Sequence, residues 1–164
     1  MKKYSIKCTT IIALAAIIIS SCAKTDLGPG YIEKGFVYFK GDGSYAQMTP
    51  VPVTPSIGTA VFSGTYDNSL QILNYSLKWT GMSTGVTKAD FFFPSSQVQN
   101  GLQARNMFTT TTARPVTDSI TGVIWTVNSL TQQELADLKA GKVYYTITTS
   151  ANTGGEIRGQ VAVK

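Results

Sequence analysis

Within the stretch from residue 70 to residue 80, apolar and polar side chains alternate from residue 73 onward. Its apolar positions are Leu73, Tyr75, Leu77 and Trp79. Successive side chains of a β-strand point to opposite faces of a sheet, so the pattern predicts a strand with one buried face and one wet face. Such strands are typical of antiparallel sheets, because strands of parallel sheets are usually apolar on both faces.

The rest of the chain from residue 35 onward repeats this kind of signal. Short runs of β-branched and aromatic residues are separated by Gly, Pro, Asn and Asp, which predicts an all-β domain. The predicted strands cover residues 35–40, 57–66, 70–80, 87–93, 104–112, 120–127, 142–149 and 155–163. We therefore expect an antiparallel sandwich with a single hydrophobic core.

Turn chemistry predicts how the strands are connected. Residues 66–70 and 152–155 carry hairpin turn residues. Residues 48–55 contain three prolines and are predicted to form a loop or a sheet edge, because each proline lacks a backbone donor. Residues 41–44 are predicted to form a plain turn rather than a calcium loop, because Asp42 is their only acidic residue.

One short helix is predicted after residue 130. Thr131 has the position of an N-cap, and Glu134 is the reciprocal member of a capping box. Gly141 is placed to end the helix in a left-handed conformation. Over about two turns, Leu135 and Leu138 are expected to face the core, so the helix is predicted to lie across one end of the sandwich.

The N-terminus has the features of a bacterial lipoprotein signal. A lysine-rich start precedes an apolar run at residues 11–19, which is too short to span a bilayer. Ile19-Ser20-Ser21-Cys22 resembles the lipobox, whose cysteine receives a diacylglyceryl group. We predict a signal peptide at 1–21, lipidation of Cys22 and a tether at 22–33. The alternative is an ordinary secretory signal that ends near a cysteine.

Loss of the signal changes the charge and the thiol content. Three of the 14 basic residues leave with it, so 14 − 3 = 11 remain against 9 acidic residues. No clustered basic face is left for a nucleic-acid partner. If Cys22 is acylated, no free thiol remains. Ala23 follows the cysteine in place of Asp, which favours the outer membrane, facing either the periplasm or the outside.

The C-terminal part carries a recognisable segment: Gly155, Glu156, Ile157, Arg158, Gly159 and Gln160. Together with residues 62–67, 73–82 and 141–145, this segment resembles the chordin-type (CHRD) domain, and the resemblance covers residues 34–164. It implies a Greek-key β-sandwich of immunoglobulin-like or superoxide-dismutase-like layout. It also implies no enzymatic activity, because none is established for the family.

The chain differs from the family at the positions where many members carry histidine. Many bacterial members carry Ala-His-Ile-His-Gly where this chain has Ala89-Asp90-Phe91, and a further expected histidine falls at Thr148. The whole sequence contains no histidine. A superoxide-dismutase-like metal site requires imidazole or thiolate ligands. We therefore expect no metal and no cofactor, with Asp90 pairing with Lys88 or facing solvent.

The aromatic run Phe91, Phe92 and Phe93 supplies the binding candidates. Consecutive strand residues face opposite sides, so part of this run points away from the core. We favour burial of that part beneath the loop at 48–55. The alternative is that the outward-facing aromatic side chains form an exposed patch that contacts a partner.

Glu156 and Arg158 are the other candidates, because residues two apart in a strand share a face. They bind a polar ligand there, or they support each other and the neighbouring strands, which we favour. Flanking Gly155 and Gly159 indicate close backbone approach or a bulge.

The predicted function is a non-catalytic binding or structural module of the cell envelope. A serine nucleophile needs a neighbouring base, which is usually histidine, and the acidic residues are dispersed along the chain. The expected partners are the membrane, through the Cys22 lipid, and a protein or glycan. The alternative is a hydrolase or metal-dependent enzyme with an unrecognised site.

Overall fold

The computed structural model describes residues 35–52, 55–94, 103–125 and 130–164. The predicted signal peptide, Cys22 and the tether lie outside the described residues. The strands are β1 (Phe36–Ser44), β2 (Thr59–Asp67), β3 (Ile72–Thr80), β4 (Val86–Phe93), β5 (Gln103–Arg114), β6 (Asp118–Trp125), β7 (Tyr144–Thr149), β8 (Ile157–Gln160) and β9 (Ala162–Val163). Helix α1 is Gln132–Lys139, and a 3-10 helix, Tyr45–Gln47, follows β1.

The strands follow one hydrogen-bonded path in the order β5-β4-β7-β8-β1-β2-β3-β6, and β9 also pairs with β1. All pairs are antiparallel. The contacts β3–β6, β4–β7 and β8–β1 join strands that are not consecutive, as in a Greek key. The predicted all-β fold with one helix is therefore confirmed, as a nearly closed, barrel-like sheet.

The two halves of the path face each other across an aromatic core. The ring of Phe91 in β4 lies edge-on to Phe62 in β2, with centroids 5.2 Å apart, and to Tyr75 in β3 at 5.8 Å. Trp79 in β3 stacks on Phe108 in β5 at 5.8 Å. We call the β5-β4-β7-β8 half the C layer and the β1-β2-β3-β6 half the N layer.

The alternation that predicted β3 is confirmed. Leu73, Tyr75, Leu77 and Trp79 are between 0% and 8% exposed. The hairpins at 66–70 and 152–155 are also confirmed, because β2 pairs with β3 and β7 pairs with β8 on either side of them. The described parts of the proline-rich segment, residues 48–52 and 55, contain no strand, as the loop prediction expected.

Helix α1 begins and ends as predicted. Thr131 Oγ1 accepts a hydrogen bond from the Glu134 backbone N–H, and the Glu134 carboxylate accepts one from the Thr131 backbone N–H, which completes the capping box. Gly141 has a φ of +68° and ends the helix. Leu135 and Leu138 join the core. None of the helices in the described ranges is long and apolar enough to cross a membrane.

Two of the secondary-structure predictions are wrong. Residues 41–44 do not form a turn, because β1 continues through them and pairs with β2 and β8. Gly41 and Gly43 face inward there and leave room for a large buried ring. The last predicted strand, 155–163, is divided: it begins at Ile157, and Val161 separates β8 from β9. At this break the Val161 N–H bonds to Val143 instead of continuing one ladder.

Replacing Trp79 by Ala should lower the free energy of unfolding by about 3–5 kcal/mol. The indole is 2% exposed, and its Nε1 donates to the Pro115 carbonyl at 3.0 Å. Chemical denaturation measures the change. Val61→Ala is the control, because Val61 is 46% exposed on β2, and its effect should stay below about 0.5 kcal/mol. A loss below about 1 kcal/mol in the Trp79 variant would contradict the core assignment.

Candidate functional site

The segment from Gly155 to Gln160 contains the most unusual polar group of the fold, the carboxylate of Glu156. This residue precedes β8 and is fully buried. Oε1 accepts hydrogen bonds from Ser56 Oγ at 2.5 Å and from the Ser83 backbone N–H at 2.6 Å. Oε2 accepts from Ser83 Oγ at 2.5 Å, Thr149 Oγ1 at 2.6 Å and Asn152 Nδ2 at 3.3 Å. One carboxylate thus joins the loops before β2, before β4 and before β8.

This group, which we call the Glu156 cage, is neutral apart from the carboxylate. Burial raises the pKa of Glu156, but the hydrogen bonds from Ser56, Ser83 and Thr149 outweigh it, and the pKa lies below its ordinary value. Donors that point at a carboxylate favour its charged form. The cage therefore holds an ionised carboxylate away from solvent.

The expected mutual support of Glu156 and Arg158 is wrong. Glu156 lies before the first residue of β8, so the strand alternation does not apply to it. Its side chain turns inward to the cage, whereas Arg158 stands half-buried on the outer face. No ion pair joins the two residues among the contacts of the described residues.

The close backbone approach predicted at Gly159 is confirmed. The ring of Tyr145 is fully buried and occupies the space in front of Gly43 and Gly159, where a Cβ on either residue would overlap it. The Tyr145 hydroxyl donates to the Gly41 carbonyl at 3.2 Å. Burial raises the pKa of Tyr145, so the phenol stays protonated and donates. Gly43 and Gly159 are therefore required because the ring of Tyr145 packs against their backbone.

The aromatic run at residues 91–93 divides between core and surface. Phe91 and Phe93 are each 1% exposed and belong to the core. They are therefore wrong as binding candidates, because no partner can reach them. Phe92 points away from the core, is half-buried, and stacks on Tyr144 of β7 with centroids 5.0 Å apart and planes 9° from parallel.

The loop that we expected to cover the run contacts a different part of the domain. Residues 48–52 face residues 151–155 of the β7–β8 turn across a cavity of about 290 Å³. Phe92 does not line this cavity.

Arg158 completes a three-strand stack. Its guanidinium carbon lies 3.7 Å from the centroid of Tyr144, a cation–π contact. We call Phe92, Tyr144 and Arg158 the outer stack. Phe92 and Arg158 were candidates from the sequence, whereas Tyr144 was not, because the register that places Tyr144 opposite Phe92 is a tertiary property.

The carboxylates in the described residues all have partners within the fold. The pairs are Asp42 with Lys40, Asp90 with Lys88, Glu134 with Arg105, Asp118 with Arg114, and Asp137 with Lys142. Asp67 accepts hydrogen bonds from two backbone N–H groups of its own turn. The predicted pairing of Asp90 with Lys88 is confirmed at 2.7 Å. The described ranges contain no group of three or more His, Cys, Asp or Glu side chains able to hold a metal.

A second surface feature lies on the outer face of the N layer. A shallow groove of about 680 Å³ runs over β1, β2, β3 and β6. It is lined largely by small neutral side chains, with Tyr38 and Lys164 at one side: Ser63, Thr65, Asn74, Ser76 and Thr121. Lys164 is the charged side chain of this lining.

Glu156→Gln should lower the free energy of unfolding at pH 7 by about 2–3 kcal/mol, because the amide turns an NH₂ donor toward donors and removes the charged acceptor. Folding lowers the pKa of Glu156, so its stabilisation is present above the unfolded-state pKa of about 4.3 and is lost as the pH falls through the folded-state pKa. The difference between the two proteins should therefore shrink below about pH 4.

Urea unfolding at pH 7 and at pH 3 measures both effects. Asp42→Asn is the matched control, because Asp42 forms an exposed ion pair with Lys40, and its effect should stay below about 1 kcal/mol. A Glu156→Gln deficit of the same size at both pH values would contradict an ionised cage.

A comparison with known proteins gives a family match for this domain. The family model of the CHRD domain matches residues 39–161, which include the Glu156 cage and the outer stack. No curated protein and no solved structure matches the chain. The family match extends over well more than half of the chain and confirms the resemblance that its C-terminal segment indicated, and the chain belongs to the CHRD domain family.

Proposed function

We propose that this chain is a non-catalytic lipoprotein of the cell envelope whose CHRD domain binds a partner through the outer stack. The observation that carries the proposal is the position of Phe92, Tyr144 and Arg158. All three are half-buried on the outer face of the C layer, and they stack on one another rather than on the core. Aromatic residues and arginine are the side chains most enriched at the energetic centres of interfaces.

The burial and pairing of the acidic side chains support a role without catalysis. A general acid or base must reach the proton that it transfers. The Glu156 carboxylate is fully buried and accepts five hydrogen bonds from the cage. The other described carboxylates pair with a cation or bond to backbone N–H groups, and histidine does not occur in the sequence.

The proposed location rests on the N-terminal sequence. The apolar run at 11–19 and the lipobox at 19–22 support export and acylation of Cys22. The turn-rich segment at 22–33 would then separate the domain from the bilayer. We propose the outer membrane as the site of attachment, because Ala23 rather than Asp follows the cysteine.

Lipidation is tested by metabolic labelling. Cells that express the protein and grow with labelled palmitate should yield a labelled band, and the Cys22→Ser variant should lose the label. Cys8→Ser is the matched control, since Cys8 lies within the predicted signal peptide and should not affect labelling of the mature protein. Label that survives in the Cys22 variant would contradict the anchor.

Binding through the outer stack is tested by replacing its aromatic end. Phe92→Ser should weaken the retention of envelope components on the immobilised protein while the melting temperature changes by less than about 3 °C. Val61→Ser, on the outer face of the N layer, is the control and should retain them. Unchanged retention would contradict the proposed face, and unfolding of the Phe92 variant would show that the ring is a core residue. Stoichiometric zinc or copper in the purified protein would overturn the non-catalytic role.

A further inference from the structure

The N-terminal segment joins the domain at Gly35, and this junction is fixed to the turn between β2 and β3. The Gly35 carbonyl accepts hydrogen bonds from the Asn68 backbone N–H at 2.7 Å and from Asn68 Nδ2 at 3.0 Å. Lys139, the last residue of helix α1, donates to Asn68 Oδ1 at 3.4 Å. The junction, the turn at 68–71 and the C-terminus of helix α1 therefore lie at one end of the domain, which we call the tether end.

The tether end presents apolar side chains to solvent. Leu70, in the turn between β2 and β3, is 61% exposed, and Phe36, the first residue of β1, is 37% exposed. Hairpin turns are usually made of Gly, Pro, Asn, Asp and Ser, so a leucine there is unusual. Asp67 Oδ1 accepts hydrogen bonds from the backbone N–H groups of Ser69 at 2.7 Å and of Leu70 at 3.0 Å. The turn is therefore held by its own hydrogen bonds, with Leu70 projecting beside the junction.

The exposed charges of the tether end are mainly positive. Its exposed cations are Lys139, Lys142 and Lys164. Lys142 Nζ lies 3.6 Å from Asp137, but the lysine side chain is 61% exposed, whereas Asp137 and Glu134 are buried. The Lys164 backbone N–H bonds to the Tyr38 carbonyl at 2.9 Å, which places this lysine beside the start of β1. Asp67 is half-buried and bonded to its own turn. The carboxylates of helix α1 are thus withdrawn from the surface, and the ammonium groups remain on it.

We propose that the tether end rests on the surface of a phospholipid bilayer that contains anionic lipid. Leu70 and Phe36 enter the boundary between headgroups and acyl chains, and the three lysines contact lipid phosphates. Apolar side chains combined with exposed lysines are typical of proteins that lie at this boundary. The inference rests on the proposed acylation of Cys22, and it adds which surface of the domain faces the bilayer.

The position of the junction favours a bilayer over a soluble protein as the occupant. Residues 23–34 separate Cys22 from Gly35, and 13 peptide steps span at most about 45 Å. A lipid-anchored domain therefore contacts its bilayer intramolecularly, so a weak contact is enough to hold it there. A stable protein interface buries roughly 800 Å² on each partner, whereas the tether end offers a small apolar contact among separated lysines.

The opposite end of the domain, which contains the Glu156 cage, also exposes apolar side chains but lacks the other features. Ile57 is 93% exposed there. The nine residues of β1 separate the two ends by about 30 Å. The sequence of the loops at the cage end, residues 45–58, 81–85, 115–117 and 150–156, contains no lysine and no arginine. Charge and the place of the junction therefore both select the tether end.

The test is fluorescence quenching by lipid on the full-length protein, purified from membranes and reconstituted into vesicles of phosphatidylethanolamine and phosphatidylglycerol. Ser69→Cys places a thiol for a fluorescent NBD label beside Leu70, and Thr153→Cys places one on the exposed turn between β7 and β8 at the cage end. Doxyl-labelled phosphatidylcholine in the vesicles is the quencher. We expect the label at position 69 to be quenched at least about threefold more than the label at position 153, because bilayer contact is confined to the tether end.

Variants in the Ser69→Cys background assign the contact to side chains. Leu70→Ser should reduce quenching by about twofold or more, because the apolar group no longer enters the bilayer. Ile57→Ser is the matched control at the opposite end and should leave quenching unchanged.

The charge contribution is tested in the same background. Lys139→Gln should reduce quenching by about twofold in these vesicles and much less in vesicles of phosphatidylcholine alone, because the lysine contacts anionic lipid. Lys78→Gln is the charge-matched control, because Lys78 is exposed on the outer face of β3, and it should leave quenching unchanged.

The number of labels per chain separates failure of this inference from failure of the proposed anchor. An acylated Cys22 leaves the introduced cysteine as the single thiol of the mature chain, so one label per chain is expected. A second label shows that Cys22 is free, which overturns the anchor and this inference with it. One label with equal quenching at positions 69 and 153 overturns this inference alone.

The remaining outcomes also decide. A label at position 69 that emits as in an apolar environment but is not quenched by doxyl lipid shows that a protein surface or a second copy covers the tether end, which rejects the bilayer. Unchanged quenching in both Leu70→Ser and Lys139→Gln rejects it as well. If Leu70→Ser unfolds the domain, Phe36→Ser and Lys139→Gln decide.

Discussion

The Glu156 cage is the constraint on which one end of the domain depends. A buried carboxylate without a cation is costly unless donors surround it, and here the donors come from the loops before β2 and β4 and from the end of β7: Ser56, Ser83 and Thr149. Each of these loops must reach its observed position for the charge to be stable. The cage therefore joins the loops before β2, before β4 and before β8 into one cooperative unit. A neutral side chain at position 156 would not require donors from all of these segments.

The rest of the C-terminal segment extends this constraint into the sheet. Ile157 is buried in the core, and Gly159 has no side chain that would overlap the ring of Tyr145. The Gln160 amide donates to the carbonyls of Gly141 and Val143 at 2.8 Å each, which fastens β8 to the chain after helix α1. Arg158 differs, because its guanidinium stacks on Tyr144 and contacts no further element in the part of the chain that the structure describes. Its chemistry is therefore directed outward.

The charged groups of the cage and of the outer stack differ in their surroundings. Inside, the charge of Glu156 is fully satisfied and stabilises the fold. Outside, the charge of Arg158 lies against the ring of Tyr144, and no carboxylate of the described ranges pairs with it. The proposed binding face is therefore the outer face of the C layer, and the interior has a structural role. Phe92 is the half-buried member of its run of three, whereas Phe91 and Phe93 are buried.

The sequence by itself determined the local elements. The alternation in β3, the capping box of helix α1 and the turn at 66–70 depend on neighbours within a few residues, so periodicity and turn chemistry were enough to predict them. The resemblance to the CHRD family rested on a short contiguous segment for the same reason. Tertiary structure decided the rest. Residues 41–44 became strand because Tyr145 fills the space that Gly41 and Gly43 leave, and Glu156 found its donors up to 100 residues away. Cross-strand register made Tyr144 the link between Phe92 and Arg158. Contacts between distant segments depend on register and loop position, which local sequence patterns do not encode.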